Sequence, residues 1–168
     1  MTRAQRVVGI GALGGILSMW ASLALLTPAL SAADPSDMAG RLAVALRWDA
    51  LAILPLFLAI GAVGNARFAS EAIDPTAGRE SRAMLINGRV VDNTVQQYLL
   101  FIAATLAVAA SGGDLAVVRA AALIFIVARF AFWIGYRIDP LYRAFGMSAT
   151  MYLSLSLFGY AIWLNVRS

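Results

Sequence analysis

Five long apolar stretches, at 7–29, 51–64, 98–110, 115–136 and 147–164, constrain this chain more than any other feature of it. A helix needs about 20 residues to cross the hydrocarbon core of a bilayer. The first, fourth and fifth stretches are long enough as they stand. The second extends backward through Trp48 towards Leu42, and the third through Val95, Val91 and Val90. The expectation is an all-α integral membrane protein. Residues 34–168 would form a four-helix transmembrane bundle, with an extra hydrophobic helix or signal segment over 1–33.

Composition agrees. Apolar residues make up 61% of the 168 and charged residues 13%, where a soluble domain sits nearer half and a quarter. The surplus apolar surface has to face lipid. The chain has no Cys, which excludes disulfides, thiolate metal ligands and a protein thiol nucleophile. It has no His either, so the commonest general base and metal ligand are missing and no metal site is expected. The net charge is +4, and every positive side chain is Arg. No basic run interleaves with aromatics, so nucleic acid is set aside as a partner.

The connectors are short and polar: 76–81, the Gly-Gly turn at 111–114, and 139–146, where Pro140 is expected at the first position of the last helix. Threading five spans collects Arg3, Arg6, Arg67, Arg79, Arg82, Arg89, Arg137 and Arg143 on one face, against Arg41, Arg47, Arg119 and Arg167 on the other. The positive-inside rule makes the richer face cytoplasmic, which in a bacterium means the inner membrane. The first stretch follows a basic start and precedes Ser31-Ala32-Ala33, which resembles a signal-peptidase site. Its apolar run exceeds the roughly 7–15 residues of a signal core, so a retained helix is expected.

The third stretch carries a polar stripe. Arg89, Asn93, Gln96 and Gln97 are spaced i, i+4, i+7 and i+8, with Asp92 at the edge. Such a face is expensive against lipid and should turn towards the bundle interior or a neighbouring subunit. It can serve as hydrogen-bonding glue between helices; an arginine among the amides argues for more. The fourth stretch places Arg129, Trp133 and Tyr136 on one face, and Arg143 follows in the next loop or first turn. An interfacial aromatic belt accounts for Trp133, Tyr136 and Arg137, but less well for Arg129. Guanidinium forks on two helices suit a small molecule bearing carboxylates, in a pocket with apolar walls open to lipid.

These residues resemble the MAPEG family, membrane-associated proteins in eicosanoid and glutathione metabolism. The segment from Arg89 through Asn93 to Gln96 is similar to that family's second-helix motif, Arg-x-x-x-Asn-x-x-Glu. The segment Ala128-Arg129-Phe-Ala-Phe132-Trp-Ile-Gly135-Tyr136 is similar to its third-helix motif, Ala-Arg-x-x-Tyr-x-x-Gly-Tyr. Arg143 stands seven residues after Tyr136, the offset of the arginine that activates glutathione in leukotriene-C4-synthase-like members. The resemblance spans about 49–165.

It implies four transmembrane helices per subunit, a homotrimer, and a glutathione site between subunits near the cytoplasmic side. By position, Arg89, Asn93 and Gln96 would hold the backbone and carboxylates of glutathione. Tyr136 would hydrogen-bond it, Arg129 would support the site, and Arg143 would sit by the sulfur. Arg67, on the loop after the first family helix, is a looser match to a basic residue from the neighbour. Glutathione would then be a co-substrate, conjugated as thiolate to a lipophilic electrophile in a transferase reaction, or used in a peroxidase reaction. Gln96 replaces the motif's Glu, Phe132 replaces a frequent Tyr, and Gln97 stands where some members have another Tyr. Those departures keep a second reading open, a non-catalytic lipid- or ligand-binding protein of the same fold. A small transporter or channel subunit is disfavoured by the lack of an inverted repeat and of a His relay.

Overall fold

The computed structural model describes residues 1–74 and 76–167. Six α-helices follow one another: α1 (Arg3–Ala29), α2 (Met38–Ala52), α3 (Leu54–Phe68), α4 (Arg82–Ala110), α5 (Leu115–Ile138) and α6 (Ala144–Arg167). The described residues contain no strand. Among the described residues the helices provide five runs long and apolar enough to cross a membrane, because α2 and α3 form one apolar run, Met38–Phe68, broken only at Ile53. Pro55 is the cause. It has no N–H to give back to the preceding turn, and its ring crowds the carbonyl there. The chain therefore ends one helix at Ala52 and starts the next with Pro55 in its first turn.

Local chemistry sets the other boundaries. Thr2, Asp37, Ser81 and Asp114 each turn a side-chain oxygen onto an orphan amide of the following helix. Gly112, at φ 74°, makes the tight reversal between α4 and α5. The last helix begins later than expected. Pro140 lies in a separate turn, not at the start of α6: Asp139 takes the amide of Leu141 with its carboxylate (2.8 Å) and that of Tyr142 with its carbonyl (2.9 Å). Those bonds close a turn of their own, and α6 opens only at Ala144.

α5 is the central helix. It packs against α1, α2, α4 and α6, and it buries alanines on successive positions, Ala120, Ala121 and Ala122. Phe125 on α5 stacks on Phe101 of α4 at 4.5 Å between ring centroids, and Leu153 and Leu157 of α6 complete that layer. Outward-facing Leu17, Phe57, Leu99, Val127 and Leu155 are exposed, which is the apolar surface that lipid must cover. Small residues bring backbones together, as membrane helices require. Gly146 sits where a Cβ would stand 2.3 Å from the carbonyl oxygen of Ala128, and Gly15 of α1 sits where one would stand 2.1 Å from that of Phe145.

The extra helix α1 is thus docked on α6 and α5, and only Gly15, Met19 and Leu23 of it are buried. At the end opposite the arginine-rich loops, Arg119 pairs with Asp34 and donates to the carbonyl of Leu30, while Arg41 donates to the carbonyls of Ala109 and Gly113. These arginines tie the link after α1 and the C-terminus of α4 to the bundle, where cations complement the carbonyls at helix C-termini.

Candidate active site

A cleft of about 370 Å³ opens between α4, α5 and the start of α6, lined by Arg89, Asp92, Asn93, Gln96, Phe132, Tyr136, Arg143 and Met147. Five of the seven expected site residues therefore meet in one place: Arg89, Asn93, Gln96, Tyr136 and Arg143. The spacing of α4 explains its wall. At 100° per residue, Asn93 lies about 40° from Arg89, Gln96 about 20° to the other side and Asp92 about 60°. Gln97 lies about 80° away and leaves the group. It is buried, with Nε2 donating to Sδ of Met151 at 3.7 Å.

Gly135 brings the opposite wall close. The carbonyl of Tyr142 passes 2.9 Å from where its Cβ would be. The 139–143 turn therefore folds back onto α5 and holds the Arg143 guanidinium 5.2 Å from the centroid of the Tyr136 ring. One Arg143 N–H donates to the carbonyl of Pro140 at 2.8 Å, and its remaining N–H groups are available to a ligand.

Arg129 is not in the cleft but behind its wall, 1% exposed. It donates to Oδ1 of Asn93 at 3.0 Å and to Oγ1 of Thr94 at 2.7 Å, and its guanidinium lies 4.0 Å from the Phe132 ring centroid. With its oxygen engaged by Arg129, Asn93 keeps its NH₂ donors for the cleft. Thr94 in turn donates to the carbonyl of Val90 at 2.6 Å, so the guanidinium is braced by neutral oxygens. Trp133 turns away and donates to Oδ1 of Asn87 at 3.0 Å.

Arg67 departs most from expectation. It lies in the last turn of α3, not in a loop, and its guanidinium grips Oε1 of Glu80 at 2.6 and 3.0 Å. It borders a second groove with Ile60, Gly64 and Asp92, so it is separated from the cleft of its own subunit by α4. Sequence reasoning treated Asp92 as an edge residue; the angles above were the signal that it belongs to the wall. Met147 carried no signal, because its role depends on where α6 begins. No group of three or more acidic, His or Cys side chains capable of holding a metal occurs among the described residues.

Two motifs on adjacent helices thus close on one cleft, and both lie within residues 45–163, which match the model of the MAPEG family. The chain belongs to the MAPEG family. No curated protein and no solved structure matches it. Membership places this integral membrane protein in the glutathione- and eicosanoid-related group of membrane proteins. Its α2–α3 span and α4, α5 and α6 provide the four-helix bundle of a MAPEG protein, and α1 is an addition before the matched region.

Proposed function

We propose that this MAPEG protein is a glutathione-dependent transferase that conjugates glutathione, as co-substrate, to a lipophilic electrophile arriving from the bilayer. The observation that carries the reading is the cleft itself: two arginines, two amides and a tyrosine converge on a space walled by Phe132 and Met147. Arg89, Asn93 and Gln96 bind the peptide backbone and carboxylates, Tyr136 hydrogen-bonds the peptide, and Arg129 positions Asn93. Arg89 and Gln96 are exposed on a membrane span. That favours a homotrimer in which a neighbour covers the cleft, with Arg67 of that neighbour as the basic residue it contributes. The arginine-rich face, and the site with it, is then cytoplasmic at the bacterial inner membrane.

The chemistry needs no protein nucleophile. A guanidinium supplies fixed positive charge and donors but no acceptor, so the role of Arg143 is electrostatic and not that of a base. A free thiol has a pKa of about 8.5, which adjacent positive charge in a water-poor site lowers. A shift of about two units corresponds to roughly 2.7 kcal/mol, within reach of one close guanidinium. The thiol proton leaves to water. The thiolate electron pair forms the S–C bond to the electrophile, and the displaced group leaves with its bonding pair.

The test is conjugation of glutathione to 1-chloro-2,4-dinitrobenzene by the purified protein in lipid nanodiscs. Catalysis above the solution rate, lost in Arg143→Ala with glutathione binding retained, is the expected result. The non-catalytic reading rests on Phe132, which offers the cleft no hydroxyl and packs its ring against Arg129. Binding of glutathione with no conjugation in the wild type would favour it.

A further inference from the structure

Asp92 is the one acidic group in the cleft lining. Among the described residues it has no ion-pair or hydrogen-bond partner, and neither does Arg89. The two stand i, i+3 on α4, the spacing at which opposite charges on a helix become neighbours. Yet no nitrogen–oxygen approach within 4.0 Å joins them; the ion pairs formed among the described residues are Arg67–Glu80, Arg79–Glu71 and Arg119–Asp34. Asp92 also borders the second groove, whose cation, Arg67, is already held twice by Glu80. On the cleft side the other cation, Arg143, is anchored to the carbonyl of Pro140 and lies over Tyr136. An acid on a membrane span that no side chain of its own chain neutralises faces a polar cavity and takes its counter-charge from there.

The wall of α4 therefore presents one free cation and one free anion about 5–6 Å apart at their Cβ atoms. That is the charge pattern of a receptor for an α-amino acid head, in which an ammonium and a carboxylate share one carbon. Glutathione carries one such head, on its γ-glutamyl residue, and a second carboxylate at its glycine end. We infer that Asp92 receives the γ-glutamyl ammonium while Arg89 takes the carboxylate beside it. Asp92 thereby selects thiol peptides with a free amino group over those without one. This rests on the glutathione reading and adds to it the group that decides which thiol is accepted.

The experiment compares glutathione with glutaryl-cysteinylglycine, which has the same thiol and both carboxylates but no amine. Each is titrated calorimetrically into the detergent-solubilised wild type, Asp92→Asn and Asp92→Glu. The expected wild-type result is a preference for glutathione of roughly tenfold or more, the size of one charge-assisted contact. In Asp92→Asn the two ligands should bind within about twofold of each other, and Asp92→Glu should restore the preference. Asp92 is exposed and bonds to nothing in the chain, so its isosteric amide leaves the fold intact. Binding of the deamino peptide to Asp92→Asn verifies that directly. A wild type that binds both peptides equally, or an Asp92→Asn variant that keeps the preference, overturns the assignment and leaves the glutathione reading standing. A wild type that binds neither peptide removes the glutathione reading and this assignment together.

Discussion

Replacing Gly146 by alanine tests the packing on which the cleft depends. The added Cβ would lie 2.3 Å from the Ala128 carbonyl oxygen, 2.5 Å from the Phe132 nitrogen and 2.8 Å from its Cα. All three are backbone atoms of α5, so no side chain can rotate away. Ordinary contact begins near 3.4 Å, so α6 must withdraw from α5 by roughly 1 Å at this point. Overpacking of this kind costs about 1–3 kcal/mol, set against a gain of at most about 1 kcal/mol from alanine's helix propensity. Because only backbone can yield, the upper end of that cost applies and the net loss is about 2 kcal/mol; at about 2–4 °C per kcal/mol for a chain of this size, the apparent Tm should fall by roughly 4–8 °C. Gly159→Ala is the internal control, on the same helix but with nothing within 4 Å of its Cβ. It should leave Tm unchanged or raise it slightly. Intrinsic tryptophan fluorescence in detergent, at one heating rate, reads both variants. The cleft should loosen as well, because Phe132 and Tyr136 lie on one side of this contact and Arg143 and Met147 on the other. If Gly146→Ala melts with Gly159→Ala and the wild type, the close α5–α6 approach is wrong.

Two further outcomes are expected. Arg129 is a buried cation braced by Asn93 and Thr94 with no acid beside it, and exchanging such a charge for an apolar chain of similar volume is often neutral or stabilising. Arg129→Met should therefore keep or raise Tm while weakening glutathione binding about tenfold, because Asn93 loses the partner that orients it; a loss of stability with unchanged affinity would reverse the assignment of Arg129 to positioning. Docking of Gly15 on α6 predicts that the first helix is retained, so peptide mapping of protein purified from membranes should recover peptides from within 1–33, and their absence would mark that segment as a cleaved signal.

The spans were legible because lipid leaves a chain few options: apolar runs of sufficient length become helices, and all five do. The cleft residues on α4 were legible from angular spacing, with one error of degree. Gln97 at about 80° from Arg89 was grouped with the wall, whereas Asp92 at about 60° belongs to it. What the sequence hid were features set by three-dimensional closure. Pro140 satisfies a rule for helix starts, but the carboxylate and carbonyl of Asp139 spend themselves on the 141–142 amides and delay α6 to Ala144. Arg67 sits within α3 and not after it, because the helix runs on to Phe68 and Glu80 returns from across the loop to meet it. Arg129, Trp133 and Tyr136 do share the face of α5 turned to α4, but at different levels along it: Arg129 reaches Thr94, Trp133 reaches Asn87 and Tyr136 lines the cleft. Threonines and asparagines that satisfy a buried guanidinium carry no periodic signature, so only packing reveals them.

The measurement that bears most directly on the account is glutathione titrated into the detergent-solubilised wild type and Arg143→Ala at pH 7, followed by ultraviolet thiolate absorbance. A thiol of pKa about 8.5 is roughly 3% ionised there, and a downward shift of about two units raises that to roughly 75%. The account predicts a saturable signal of that order in the wild type, absent from Arg143→Ala although glutathione still binds. Saturable binding with no thiolate in the wild type, or an equal signal in both proteins, would contradict it.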